Sequence, residues 1–339
     1  MVKRLFAGTL TLVVLALAVI VISVLRFDIS REELAGKYAT GASQFVTLPG
    51  GGSMHVRDEG NREGPALLLV HGSNASLHTW EPWVASLGDT YRIVSMDLPG
   101  HGLTGRIPGD DYSREGMTQS VHELTEILGI DRFAIAGNSM GGGVAALYAL
   151  EHPAQVSALI LVDAAGVPVP RNDDEVPLAF RIARMPVISN VMRYVLPRSL
   201  VEEGVRKVFV DQSKVTDEMV ARYFDLSLHE GNRDATRIRF ASYAGRDEEA
   251  FAARLGGIEM PTLVLWGDKD GLIPVSAAHE FKARIPQAEL AIFENVGHVP
   301  MEEVPEESAA VVRDFLGRAL AETSPSAGGM AAAGVMAEE

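Results

Sequence analysis

The 339-residue chain has no cysteine. Disulfide staples, thiolate catalysis and Cys-ligated zinc or iron–sulfur sites are thereby excluded together. Positive charge is scarce: 30 Lys and Arg stand against 45 Asp and Glu, a formal charge of −15 at pH 7, and no basic run occurs. Binding along a phosphate backbone needs clustered Lys and Arg, so nucleic acid is not an expected partner. No H-E-x-x-H is present, and no G-x-G-x-x-G follows a strand in dinucleotide context. Neither a zinc-binding helix nor a nucleotide cofactor is implied, and no cofactor or metal is expected. With 47% apolar and 22% charged residues, a disordered or collagen-like chain is also excluded.

The N-terminus carries the longest apolar run. Residues 5–25 read LFAGTLTLVVLALAVIVISVL, without a charge or a proline. About 21 residues at a rise of about 1.5 Å cross a hydrocarbon core. A cleaved signal peptide would have a shorter apolar core and a small-x-small site after it, whereas this run ends in Val24-Leu25-Arg26-Phe27-Asp28. Residues 1–27 therefore read as a retained single-span membrane anchor. Lys3, Arg4 and the terminal amine precede the span, and Arg26, Arg31 and Lys37 follow it. The tighter leading cluster favours a globular part on the non-cytoplasmic side. Residues 28–43 are mostly polar, partly helical in pattern, and read as a juxtamembrane linker, and residues 322–339 read as a disordered tail.

Between these ends, short apolar runs alternate with helical patterns. Residues 44–48 and 54–58 flank Pro49-Gly50-Gly51-Gly52, a hairpin signal. Residues 66–70, 92–96, 133–136, 158–162, 262–266 and 289–293 are mostly continuous apolar strands, which suit a parallel sheet covered on both faces. Helical patterns cover 113–128, 140–151, 274–283 and 303–319. The fold class is α/β: a doubly wound, mostly parallel, eight-stranded sheet with an antiparallel start. The rhythm breaks between about 167 and 246, where helix-like stretches at 176–183, 188–195, 200–210 and 217–228 predict a helical insertion.

After the strand at 133–136 comes Gly137-Asn138-Ser139-Met140-Gly141-Gly142-Gly143 and then an alanine-rich helix. This is G-x-S-x-G in strand–turn–helix context. The turn is so sharp that side chains two before and two after the serine would crowd the neighbouring strand and helix. Ser139 then projects over the amino end of a helix, whose positive pole favours a developing oxyanion. On these residues the chain, over about 44–321, resembles the α/β-hydrolase superfamily. His71-Gly72-Ser73 follows the third strand, where that family has its oxyanion loop. Asp97-Leu98-Pro99-Gly100-His101-Gly102 follows the fourth, and the insertion at about 167–246 lies where the family keeps a helical cap.

The resemblance implies a chain order of Ser, then acid, then His. Only His279 and His298 come late enough. His279 falls in a helical pattern, whereas His298 lies in a loop after the strand at 289–293 and is the expected base. For the acid, Trp266-Gly267-Asp268-Lys269-Asp270 points to Asp270, three residues after the glycine. Asp268, as a turn residue, and Asp163, after the sixth strand, are its rivals. The implied oxyanion donors are the amides of Met140 and of Ser73, with Asn74 a neighbour. Ser73-Asn74-Ala75-Ser76 stands where some lipases carry further glycines.

The other histidines read as structural. His71 and His101 brace the two loop motifs, while His122, His152 and His229 lie on or beside helical patterns as surface residues. His55 sits in the opening hairpin, and His78 could line the cleft. The implied function is a membrane-tethered serine hydrolase cleaving carboxylic esters, lipid-like esters among them, through an acyl-enzyme. Two alternatives are carbon–carbon bond hydrolysis of the meta-cleavage-product type, which the Gly137–Gly142 stretch resembles, and a hydrolase-like protein that acts by binding a ligand.

Overall fold

The computed structural model describes residues 25–168, 194–243 and 248–323. The expected membrane span (but for Leu25), the helical pattern at 176–183, most of that at 188–195, and the tail beyond Thr323 lie outside those residues. Among the described residues, no helix is long and apolar enough to cross a membrane.

Eight strands form one sheet: β1 (Ser43–Thr47), β2 (Ser53–Gly60), β3 (Ala66–Val70), β4 (Arg92–Met96), β5 (Phe133–Asn138), β6 (Val156–Val162), β7 (Thr262–Gly267) and β8 (Glu289–Phe293). Their spatial order is β1-β2-β4-β3-β5-β6-β7-β8. β1 and β2 pair as an antiparallel hairpin with Val46 opposite Met54, and β2 runs antiparallel to β4. From β4 to β8 every neighbouring pair is parallel.

The apolar runs of the central strands are continuous because the sheet is covered twice, whereas the edge strand β8 is only partly covered. Leu68, Val70, Leu159 and Leu161 pack on one face with helices α3 (Arg114–Leu128), α4 (Met140–Glu151) and α9 (Ser276–Arg284). Leu67, Leu69, Ile160 and Val162 pack on the other with α2 (Glu81–Leu87) and α11 (Pro305–Thr323). Full burial of each such side chain contributes about 1.5–3 kcal/mol relative to exposure, which makes this two-sided core the main support of the site.

Between β6 and β7 the described helices are α5 (Arg198–Lys207), α6 (Asp217–Ser227), α7 (Asn232–Tyr243) and α8 (Glu248–Arg254). The helical patterns at 200–210 and 217–228 match α5 and α6; α7 and α8 carry no such signal. A further helix, α1 (Arg31–Tyr38), occupies the stretch expected to be a linker. That stretch is docked on the insertion. Ile29 N–H donates to the Leu228 carbonyl at 2.8 Å, and Glu230 N–H returns to Ile29 at 3.1 Å. Asp225 accepts from Lys37 at 2.6 Å and from Tyr38 at 2.7 Å, and Leu34, Tyr38, Leu103 and Leu226 close a small apolar cluster.

Candidate active site

Parallel strands end at one edge, and the expected site residues follow those ends: Ser73 after β3, Ser139 after β5, Asp163 after β6, Asp270 after β7 and His298 after β8. Ser139 has φ 53° and ψ −120°, a conformation that L-residues rarely hold and that costs about 1–3 kcal/mol. The surroundings fix it. Ser139 N–H donates to the Val162 carbonyl at 3.0 Å, while the Ser139 carbonyl accepts from Gly142 at 3.0 Å and from Ala165 at 2.8 Å. The two flanking glycines are required by space: a Cβ on Gly137 would strike the Gly141 backbone, and one on Gly141 would strike the Val70 and His71 carbonyls.

His298 is buried, and its Nδ1 lies 2.6 Å from Asp270 Oδ2. The other carboxylate oxygen of Asp270 accepts from the amides of Leu272 at 2.7 Å and Ile273 at 3.0 Å. Ile273 is itself held by buried Trp266, whose indole N–H donates to its carbonyl at 3.1 Å. His298 Nε2 is buried and has no hydrogen-bond partner among the described residues. Ser139 Oγ is not hydrogen-bonded to it; the two loops meet through Asn138, whose Nδ2 donates to the His298 carbonyl at 3.0 Å. Asn138 is a residue that the sequence reading left without a role. So is Glu303, whose Oε2 accepts from Gly297 at 2.7 Å and whose Oε1 accepts from Val210 and Asp211 at 2.8 and 2.6 Å. Glu303, in α10 (Pro300–Glu303), thus clamps the His298 loop to the insertion.

Both rivals for the acid are accounted for. Asp268 accepts from Asn295 N–H at 2.6 Å and pairs with Lys269, as a turn residue does. Asp163 is fully buried, with φ 44°; one oxygen accepts from Gly267 N–H at 3.0 Å. Burial, reinforced by the adjacent Asp270 carboxylate, pushes the Asp163 carboxyl well above its usual range. Asp163, Asp270 and His298 bring their ligand-type atoms within 4.8 Å of one another. The 2.6 Å contact between Asp270 and His298 already pairs two of those atoms. His279 is exposed on α9.

Gly72 packs against the turn so closely that a Cβ there would lie 3.0 Å from Ser139 Cβ. Neither the amide of the next residue, Ser73, nor that of Met140 at the start of α4 bonds a loop or turn carbonyl among the described residues. Asn74 turns the loop with φ 59°.

His71 and His101 brace their loops. His71 donates from Nδ1 to the Gly72 carbonyl at 2.7 Å and accepts from Leu98 N–H at 3.0 Å. Burial lowers the pKa of both histidines. His78 does not line a cleft: it is buried between Ser76 Oγ and the Tyr38 carbonyl, each at 3.0 Å, and burial lowers its pKa to about 4. His229 is a correction. Expected at the surface, it is buried, with Nδ1 2.9 Å from the Gly102 carbonyl, because α7 folds back over the loop after β4. His122 and His152 are half-buried and stacked on each other at 4.1 Å.

The family described as alpha/beta hydrolase fold matches residues 65–305. Lipase 1 of Psychrobacter immobilis is 29% identical over 278 residues, covering 80% of this chain and 82% of that protein. A monoacylglycerol lipase of Homo sapiens is 26% identical over 254 residues, covering 74% and 75%. A solved bacterial membrane phospholipase A superposes with a TM-score of 0.70 at 27% identity, covering 94% of this chain and 99% of that one. The chain belongs to the alpha/beta hydrolase family.

Proposed function

We propose that the protein is a membrane-tethered serine hydrolase that cleaves carboxylic esters with apolar acyl groups. Ser139 attacks the carbonyl, and His298 takes its proton at Nε2 and returns it to the leaving alcohol. Asp270 holds the imidazole in the tautomer with the proton on Nδ1 and stabilises its cation. The amides of Ser73 and Met140 receive the developing oxyanion. Water then releases the acyl enzyme by the same proton transfers in reverse. The observation that best supports this reading is the 2.6 Å contact between His298 Nδ1 and Asp270 beside an unpartnered Nε2, in a loop tied by Asn138 to the strained Ser139 turn.

The domain plan that goes with it has an anchor at 1–27, a juxtamembrane stretch at 28–43, a catalytic domain at 44–321 capped by the insertion at about 167–246, and a tail at 322–339. Lipid-like esters are the favoured class, since the relatives include a lipase, a monoacylglycerol lipase and a membrane phospholipase A. The globular part lies on the non-cytoplasmic side. Full-length protein in detergent, assayed on p-nitrophenyl and monoacylglycerol esters, tests the activity; no turnover on any ester would refute it. Retention in membranes after an alkaline carbonate wash tests the anchor, because a spanning helix is not held by surface charge.

A further inference from the structure

Arg239 lies on α7, inside the insertion, yet its side chain is only 1% exposed. It reaches three loops of the site at once. Nη1 donates to His101 Nε2 at 2.7 Å and lies 2.8 Å from the sulfur of Met140, while Nη2 donates to Asn74 Oδ1 at 3.1 Å. Thr236, three residues earlier on the same helix, donates to the same Asn74 oxygen at 3.3 Å. Asn74 is the left-handed residue directly after Ser73. The turn that aims the Ser73 amide is therefore gripped from the insertion.

Other contacts show how α7 is seated. Asn232 Nδ2, at its first turn, donates to the Gly102 carbonyl at 3.0 Å, beside the His229 contact with the same oxygen. Ala235 packs directly over Gly100, where a Cβ would collide with it. His101 is kept neutral by burial and by the Arg239 charge. Its Nδ1 contacts the Pro99 carbonyl at 3.0 Å, which leaves the Nε2 lone pair to the guanidinium. A planar guanidinium can bridge separate acceptors in a fixed fork, which a lysine ammonium on a flexible stem cannot.

We propose that Arg239 is a positioning residue that aligns the two oxyanion donors, Ser73 and Met140, only while α7 is seated on the loop after β4. The inference rests on the hydrolase reading above. Oxyanion donors stabilise the transition state only when held at about 2.7–3.1 Å from the oxyanion. Unseating α7 to admit substrate would release Asn74 and loosen that geometry, and reseating would restore it. Closure and the ability to bind the tetrahedral intermediate are then a single event.

The test uses full-length protein in detergent, with R239M, R239K and N74A measured on an ester substrate. Two inhibitors separate the roles: a trifluoromethyl ketone that forms a tetrahedral adduct, and the corresponding non-reactive alcohol. R239M is expected to lower kcat by about 10- to 100-fold with little change in KM, and to weaken the ketone by a similar factor, part of the loss known for a missing oxyanion donor. Affinity for the alcohol should be unchanged. R239K should recover little, and adding R239M to N74A should cost less than the product of the two single losses. N74A alters a half-buried loop residue and reports the same split if R239M fails to fold. Unchanged ketone affinity in N74A and R239M, or equal losses for ketone and alcohol, would overturn the inference while leaving the hydrolase reading intact. An active Ser139→Ala protein would remove both.

Discussion

Two Asp–His contacts stand out among the described residues, and they differ in how far the hydrogen-bonding groups around them are filled. At the antiparallel edge, His55 Nδ1 lies 2.7 Å from Asp97, and its Nε2 lies 2.9 Å from Ser43 Oγ. At the carboxyl edge of the parallel strands, His298 Nδ1 lies 2.6 Å from Asp270. Every group around the first contact is consumed. Ser43 Oγ also accepts from Arg57 Nε at 3.0 Å, and Asp97 also accepts from the amides of Leu77 and Leu103, each at 2.7 Å. Although burial opposes it, the interaction with His55 holds the Asp97 carboxyl below its ordinary range. Ser43 sits in a regular strand. Near the second contact Ser139 sits on a strained turn above a helix N-terminus, and His298 Nε2 has no hydrogen-bond partner among the described residues. On the proposed reading, reactivity comes from unfilled hydrogen-bonding capacity and backbone strain, which residue type alone does not provide.

Substitutions should separate the two contacts by effect. Ser139→Ala is expected to lower kcat at least about 10⁴-fold with the melting temperature held, whereas Ser43→Ala should leave kcat within about threefold. Asp270→Asn should lower kcat by about 10⁴-fold, by analogy with other triads. Asp97→Asn should instead act on stability, by about 1–3 kcal/mol in a denaturant titration, because an amide side chain has one acceptor oxygen and cannot serve both the Leu77 and Leu103 amides from two oxygens as the carboxylate does.

Two smaller effects depend on pH. His78 is neutral in the fold, with a pKa lowered to about 4, while the unfolded chain takes up a proton near 6.5. Stability should therefore fall as pH drops from 6.5 towards 4, by roughly 3 kcal/mol from this residue alone, and His78→Gln should remove that part of the slope. Asp163 has the opposite sign. Its raised pKa means that the unfolded chain has released a proton the fold retains at pH above the ordinary carboxyl value. Asp163→Asn should therefore raise the melting temperature by an increment that grows with pH, with turnover within about threefold of the parent.

Much of this was legible in the sequence, and the illegible part has one physical origin. The strands of the parallel sheet announce themselves as apolar runs because burial on both faces is a local property of composition. The Ser139 turn is equally local, with its two glycines set by backbone collisions within a few residues. Arg239, Asn138, Glu303 and His229 act through partners far along the chain, such as Asn74 for Arg239 and Gly102 for His229. Helix α7 was missed for the same reason: it buries Asn232 and Arg239 against polar loop atoms, so it lacks the apolar stripe that marks a surface helix. Among the histidines, His55 looked isolated until the sheet paired β2 with β4 and brought it to Asp97.

The central claim, that the reactive serine is at the Ser139 turn and not in the filled Ser43 alignment, is open to one direct measurement. Full-length protein is treated with a fluorophosphonate, digested, and the modified peptide identified by mass spectrometry. A single adduct on the peptide that contains Ser139, absent from the Ser139→Ala protein, is the expected result. An adduct on Ser43, or labelling that persists in Ser139→Ala, would contradict the account.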